Sequence, residues 1–506
     1  MSTPLAVILC YLLLLVGLGF WSNRRLKNTG EDFFVASRTI GPFLLLMSLF
    51  GTNMTTFAIL GSSGEAYHEG IGVFGLMASS SSLVIPCVFF FIGTRVWALG
   101  KRHGYLTQVQ YFRERWGSDH LGLLLFAVLI ALLIPYLLIG VMAGGLIIQT
   151  LTGGPQAGLP QWVGSVGISA VVLTYVFMGG LRGTAWANAF QTVVFMVLGL
   201  VTFIAIVNDL GGIRTAMEAV VNEHPHLLHR AGEGSGNMNG HDGMNPWQFF
   251  TYTFTPLSVG MFPHMFMHWL TARRAETFRT PLILYPLCIA AVWIPAVILG
   301  ILGSADPAIP ALQGAQSNSV LILMISEHAA PLLAGLLGAG VLAAAMSSLD
   351  SQVLSAGTMF TQDIVVHYKF HKHLDERTKV ILGRVFVTLI ILITCVLSFF
   401  TERSIFKLAV WSFAGFAGLF PVVAAALFWR RSTRYGAAAT ILTVAGLWTY
   451  FFLQGWETPG YTVGGTGVMP VFVLTLAGAA SMIVVSLLSS PPPEETLEKF
   501  FPVRKP

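Results

Sequence analysis

The sequence predicts an all-α integral membrane protein of about thirteen transmembrane helices. Three observations carry that prediction: a scarcity of charge, a succession of apolar runs of bilayer length, and a one-sided distribution of Lys and Arg. Of 506 residues, 55% are hydrophobic and only 10% are charged, against about 25% charged in an ordinary soluble domain. Mean hydropathy is +0.73. So few charges cannot wet the surface of a globule this long, which excludes a disordered protein, a secreted disulfide scaffold and a soluble enzyme. The net charge of +5 is read by its position along the chain and not as a nucleic-acid signal.

A span needs roughly 20 apolar residues to cross a hydrocarbon core about 30 Å thick. Thirteen runs qualify: 4–22, 42–66, 73–99, 120–149, 161–178, 185–207, 247–270, 281–303, 330–365, 380–400, 406–428, 437–454 and 467–488. No charge precedes the first run, whereas Arg24, Arg25 and Lys27 follow it, the reverse of a cleaved signal peptide. The N-terminus is therefore expected outside, and an odd number of spans returns the C-terminus to the cytoplasm of a plasma or bacterial inner membrane. Twenty-three of the 28 Lys and Arg then fall in cytoplasmic segments and four (Arg214, Arg230, Arg403 and Lys407) in external ones. Cytoplasmic loops carry such an excess in multi-pass proteins.

This topology divides the chain into a first span with its cytoplasmic loop (1–41), a first half (42–207), an external loop (208–246), a second half (247–428), two further spans (429–490) and a tail (491–506). The prolines of the tail predict an extended cytoplasmic segment. The external loop carries His224, His226, His229, His241 and Asp242, a spacing able to bind a transition metal and equally that of solvated side chains without a common partner. Cys10, Cys87, Cys288 and Cys395 each lie in an apolar run with no C-x-x-C pair, and read as packed, inert thiols.

Three spans depart from lipid-facing composition. The second contains Gly51-Thr52-Asn53-Met54-Thr55-Thr56. Polar, Gly-broken backbone at this depth normally lines a protein cavity, although small residues also serve close helix packing. Thr251, Thr253, Thr255, Pro256, Ser258, Gly260 and Pro263 interrupt the seventh, where each Pro removes a helical hydrogen bond. Interrupted helices in corresponding positions of two halves point to an inverted-repeat transporter with its site at the midplane. In the ninth, Ser347, Asp350 and Ser351 share one helical face, and Ser355 extends it. An acid at mid-membrane costs at least about 2.5–3.5 kcal/mol unless it meets protein, water or a cation. No Lys or Arg lies within the expected cores, so Asp350 calls for a proton or a bound cation, the competing reading being a protonated acid that bridges helices. Asp363, near the inner end of the same span, reads as interfacial, and Glu65 lies near the outer end of the second. Glu69, Asp306 and Glu327 belong to external loops.

At these residues the chain resembles the sodium:solute symporter family, which includes sodium/glucose, sodium/proline, pantothenate and sialic acid carriers. The resemblance rests on Asp32-Phe-Phe-Val-Ala-Ser-Arg38-Thr-Ile-Gly41, on Tyr175-Val-Phe-Met-Gly179-Gly180-Leu181-Arg182 running to Trp186-Ala-Asn188-Ala-Phe-Gln191, and on Met346-Ser347-Ser348 through Thr361-Gln362-Asp363-Ile364. It implies a LeuT-type fold with five-helix inverted repeats at spans two to six and seven to eleven, and a symporter that imports a small organic solute with sodium by alternating access. It further implies a sodium site of the Gly51, Met54 and Ala344 carbonyls with the Ser347 and Ser348 hydroxyls. A hard cation favours such oxygens, and helix breaks expose them. Solute is expected near Asn53, Thr55, Ser80, Ser81, Thr255 and Trp411.

Two departures from the family stand out. Many members carry Asp where this chain has Asn188, and the proline carriers carry Asp at Asn53. The carboxylate missing from the sixth span is present on the ninth, so Asn188, Asp350 and Ser351 (with Ser347) are expected to hold a second cation or, alternatively, a proton. His268 stands where relatives often have Arg. The expected partners are sodium, solute and membrane lipid, with no covalent or organic cofactor and no nucleic acid. Proton-coupled or sodium-independent transport is the alternative within this fold. From other classes, an intramembrane enzyme would need a motif such as H-E-x-x-H, which does not occur, and a solute sensor would need a soluble output domain.

Overall fold

The computed structural model describes residues 2–23, 38–228, 245–368, 376–401, 403–456, 458 and 460–501. Arg24, Arg25, Lys27, Asp32 and the rest of the first loop to Ser37, together with His229, Arg230, His241, Asp242, Lys369, Lys372, Arg504 and Lys505, lie outside these residues, as do the side chains of Leu181, Arg182 and Arg377. Among the described residues the fold is helical, and the one extended pairing is a parallel bridge between Ile40 and Ala272. Eleven helical stretches among the described residues are long and apolar enough to cross a membrane, or twelve with one bent pair counted as a span.

The first half opens with α1 (Thr3–Asn23), then α2 (Pro42–Asn53), whose start has Pro in the first turn after an extended Gly41. Pro suits that position because the first amides of a helix have no intrahelical partner. A π turn at Phe57–Gly61 leads into α3 (Ser62–Glu69), bent 59° from α2. Next come α4 (Gly72–Val88) and α5 (Thr94–His103), joined by a π turn at Phe89–Gly93 into one span that ends on a left-handed Gly104 (φ 76). The interfacial α6 (Gln108–Trp116) is capped by Thr107, and α7 (Asp119–Leu151) by Ser118.

The expected fifth and sixth spans lie in one helical run, α8 (Gln161–Asp209). Tyr175 and Asn188 stand about 20 Å apart along a straight helix, yet both reach Asp350. The run must therefore fold back on itself.

Between Ile213 and Leu228 the segment after α8 is helical, with α9 (Ile213–Glu223) followed by a 3₁₀ turn. His224 and His226 are 5.8 Å apart between ring centroids, and among the described residues no three His, Cys, Asp or Glu side chains are arranged to hold a metal.

In the second half the expected seventh span is three pieces: α10 (Pro246–Tyr252), a 3₁₀ turn at Thr255–Gly260, and α11 (Pro263–Leu270). Then follow α12 (Arg279–Ser304), the short α13 (Val320–His328), α14 (Pro331–Met359) with a π continuation to Val366, and α15 (Glu376–Phe399). The remaining helices are α16 (Ile405–Gly418), α17 (Phe420–Phe428), α18 (Arg434–Gly455) and α19 (Pro470–Leu488). Arg115 closes α17 by donating to the Ala426 and Trp429 carbonyls at 3.0 and 3.1 Å, a cation at the negative end of a helix.

The core is built around α14, which is 83% buried over its apolar window against 22% for α1. A helix apolar all round belongs at the centre, and α14 packs on α1, α7, α8 and α15. Close approach depends on glycine at Gly140, where a Cβ would lie 2.6 Å from Leu349, and at Gly340, 2.8 Å from Leu198.

Three expectations change. The tail is not extended throughout: Glu494–Phe500 forms α20. Two acids in its first turn suit the positive end of a helix, and Phe500 is buried against Tyr105 and Tyr111. Asp363 is buried rather than interfacial and faces Arg113 at 3.5 Å. Cys288 and Cys395 are packed, whereas Cys10 and Cys87 are exposed on the outer faces of their spans.

Candidate functional site

The break between α2 and the π turn frees backbone oxygens. In a continued helix the Thr55 N–H would bond to the Gly51 carbonyl; here it donates to Asn53 O at 3.2 Å, and Met54 adopts a non-helical backbone (φ −85, ψ 83). The released Gly51 carbonyl accepts instead from Ser347 Oγ of α14 at 2.8 Å. Ser347 Oγ also lies 3.1 Å from Ala344 O, and Ser348 Oγ lies 3.3 Å from the same carbonyl. Gly51, Ala344, Ser347 and Ser348 thus meet at one point. Met54 is buried three residues beyond Gly51. No side chain fits at position 51, because a Cβ would sit 1.9 Å from Thr192 Oγ1 of α8.

One turn along α14 lies a denser polar cluster around Asp350, which is fully buried. Tyr175 Oη donates to Asp350 Oδ2 at 3.0 Å, and Ser351 Oγ is 3.1 Å from Oδ1. The hydrogen-bond network assigns the Asn188 carboxamide: its NH2 faces Asp350 Oδ1 and Oδ2 (2.9 and 2.8 Å) and Ser347 O (3.0 Å), while its oxygen accepts from Ser351 and Thr52 (2.8 Å each). Thr52 Oγ1 and Ser351 Oγ are 2.8 Å apart, and His268 Nε2 of α11 lies 3.3 and 3.1 Å from them. Asn188, Ser347, Asp350 and Ser351 therefore share one cluster, which also includes Thr52, Tyr175 and His268. Oxygen atoms dominate it, and no Lys or Arg forms an ion pair with Asp350 among the described residues.

The residues expected near solute are spread more widely. Asn53 Nδ2 donates to Tyr285 Oη at 2.6 Å. Thr55 Oγ1 accepts from the Phe57 N–H at 3.0 Å, so it serves the break itself. Ser80 bonds to Leu76 O within its own helix, with Ser81 buried beside it. Thr255 Oγ1 is buried without a partner. Trp411 has its ring packed on Phe452 and Tyr461.

Several polar side chains around the site were not singled out from sequence. Tyr136 of α7 has its ring 5.5 Å from His264 of α11, and Gln352 of α14 stands near its hydroxyl. Tyr136 Oη, both His264 nitrogens and Gln352 Oε1 are buried without a hydrogen-bond partner. Buried polar groups are normally satisfied, so this wall is unusual, and Phe262 and Phe413 pack on Tyr136 at 5.1 and 5.0 Å. One signal was available, because His264 and His268 are four residues apart and share a helical face.

Comparison with known proteins gives this geometry its context. The family model for "Sodium:solute symporter family" matches residues 33–443. The uncharacterized symporter YhjB of Bacillus subtilis is 27% identical over 97% of this chain and 98% of its own, and the sodium/proline symporter of Escherichia coli (strain K12) is 25% identical over 95% of each. Among solved structures, a Na+-coupled sialic acid symporter superposes with a TM-score of 0.76 at 16% identity, covering 97% of this chain and 99% of that one. The fold is thus of the LeuT type. These relatives are transporters, not enzymes.

Proposed function

We propose that this chain, which belongs to the sodium:solute symporter family, imports a small organic solute with sodium by alternating access. The observation that carries the reading is the contact between Ser347 and the Gly51 carbonyl freed by the broken second span. The Gly51, Met54 and Ala344 carbonyls and the Ser347 and Ser348 hydroxyls hold sodium. Desolvating the ion costs least where oxygens are already turned inward and no longer bond to amides. Sodium then draws α2 onto α14, and the two repeats (42–207 and 247–428) rock about the filled site. Each charge moved supplies about 2.3 kcal/mol per 100 mV of membrane potential.

Asn188, Asp350 and Ser351, joined by Thr52 and Ser347, take a second cation. Solute lies beside the cage, bounded by Asn53, Thr55, Ser80, Ser81 and Thr255 and by the unpartnered groups of Tyr136, His264 and Gln352. Proline is the first solute to test, because a full-length relative is a sodium/proline symporter. The N-terminus faces outward and the C-terminus the cytoplasm of a cell membrane, as the distribution of Lys and Arg supports.

Purified protein in liposomes tests this reading by counterflow against a solute library, with sodium or choline outside and at two pH values. Uptake should require sodium. Equal uptake in choline at both pH values sinks sodium coupling, and uptake driven by a proton gradient alone reassigns Asp350 to proton transfer.

A further inference from the structure

We propose that His268 is a positioning residue for ion coupling, which ties the inner piece of the broken seventh span to both walls of the sodium cage. The inference rests on the sodium-coupled reading above and deepens it.

The argument is a count of protons. The Asn188 oxygen accepts from both the Ser351 and Thr52 hydroxyls at 2.8 Å. Each hydroxyl has a single proton to give, and Ser351 faces a second acceptor, Asp350 Oδ1 at 3.1 Å, so the two protons serve more close contacts than they can fill. The two hydroxyl oxygens also lie 2.8 Å apart, where either can donate to the other, and a donor from elsewhere relieves the shortage. His268 Nε2 supplies it, 3.1 Å from one oxygen and 3.3 Å from the other. In this role the proton is on Nε2, while Nδ1 is buried without a partner.

The placement gives the contact its consequence. Thr52 follows Gly51, whose carbonyl faces Ser347, and Ser351 lies one turn beyond Ser347 on α14. His268 belongs to α11, whose C-terminal end runs into the backbone pairing of Ile40 with Thr271 and Arg273. A displacement of α11 therefore pulls on Thr52 and Ser351 together, and closure of the cage around an ion holds α11 in place. His268 thus links Thr52 and Ser351 to the backbone pairing at Ile40.

The test uses full-length purified protein and sodium chloride as the probe, with choline chloride holding ionic strength constant. The quantity read is the sodium concentration giving half of the sodium-dependent thermal shift. His268→Phe keeps the volume of the ring and removes the donor, and should raise that concentration about tenfold, equivalent to about 1.4 kcal/mol. His268→Gln restores an N–H donor without the ring and should return to within about threefold of the parent. A residue that only fills space predicts the reverse order, with Phe benign and Gln damaging. A parental midpoint in His268→Phe overturns the proposal. Should that variant fail to fold, His268→Gln decides alone: a midpoint within about threefold of the parent supports the proposal, and a rise of about tenfold or more overturns it. If the parent shows no sodium-dependent shift, the sodium cage itself fails; a shift in the parent that His268→Phe retains leaves the cage standing and removes only the coupling role.

Discussion

Asp350 and Asp363 lie on one continuous helical run, are 0% and 1% exposed, and are held in opposite ways. Asp363 has a countercharge, the Arg113 guanidinium of α6 at 3.5 Å. Asp350 has only hydrogen-bonding groups around it, the Tyr175 and Ser351 hydroxyls and the Asn188 amide. Hydrogen bonds orient a carboxylate, but they do not cancel its charge in a low dielectric. The first pair is complete in charge, although neither Asp363 oxygen has a hydrogen-bond partner; the second is hydrogen-bonded but incomplete in charge among the described residues. A third acidic site, at the ends of α8 and α13, falls between them: Asp209 and Asp306 converge on His328, with Asp209 at 2.7 Å, so its countercharge can be titrated away.

Removing one partner of the complete pair should have the greatest consequence. Arg113→Gln leaves Asp363 buried and unpaired and should cost about 3–5 kcal/mol of stability. Thermal unfolding of the purified protein measures this, and Asp363→Asn added to Arg113→Gln should recover more than half. If Arg113→Gln is as stable as the parent, the two acids do not differ in the way described.

At the incomplete site the expected loss is in ion dependence rather than in stability. Asp350→Asn keeps the shape and most of the hydrogen bonds, so thermal stability in choline should stay within about 1.5 kcal/mol. Its sodium requirement for uptake should rise at least thirtyfold, equivalent to about 2 kcal/mol. A normal sodium titration with normal pH dependence removes Asp350 from coupling altogether.

The neighbouring cage should respond more weakly to a single deletion. Ser347→Ala removes one of several oxygens and should raise the sodium midpoint about tenfold, or about 1.4 kcal/mol, with no change when sodium is replaced by choline. A larger effect in choline than in sodium would mean that the hydroxyl serves packing and not the ion.

The least effect belongs to the titratable contact. Burial pulls the His328 imidazole down, but its hydrogen bonds to Asp209 and Asp306 prevail and hold it above the ordinary value of 6.5. Its stabilisation is fully present below pH 6.5 and is lost as pH rises through the raised folded value. With Asp209 half in water, about 0.5–1 kcal/mol is at stake. Thermal unfolding followed from pH 6 upward should show that loss in the parent and a flatter profile in His328→Gln.

The spans were legible in sequence because the bilayer demands length and apolarity in each one, and the count fails only where chemistry interrupts it. The seventh span escapes a length criterion because Pro256 and Pro263 cut it into pieces. Asp350 and Ser347 announced themselves as polar residues in an apolar helix. Their partners did not: Tyr175 and Tyr136 pass for ordinary aromatic residues in a span, and only tertiary folding brings Tyr175 across to Asp350. Asp363 was misread for a related reason, since its countercharge lies 250 residues earlier in the chain.

The last helix carries a practical lesson. Phe500 is wedged between Tyr105 and Tyr111 beneath the Arg115 guanidinium, Lys499 grips Glu114, and Tyr111 in turn touches Phe266 of α11. A purification tag or fluorescent reporter fused behind Phe501 thus hangs from a clasp that leans on the broken span. A dye placed there would sense movements of that span, and a bulky fusion there would load it. Handles meant to be silent belong at the opposite terminus.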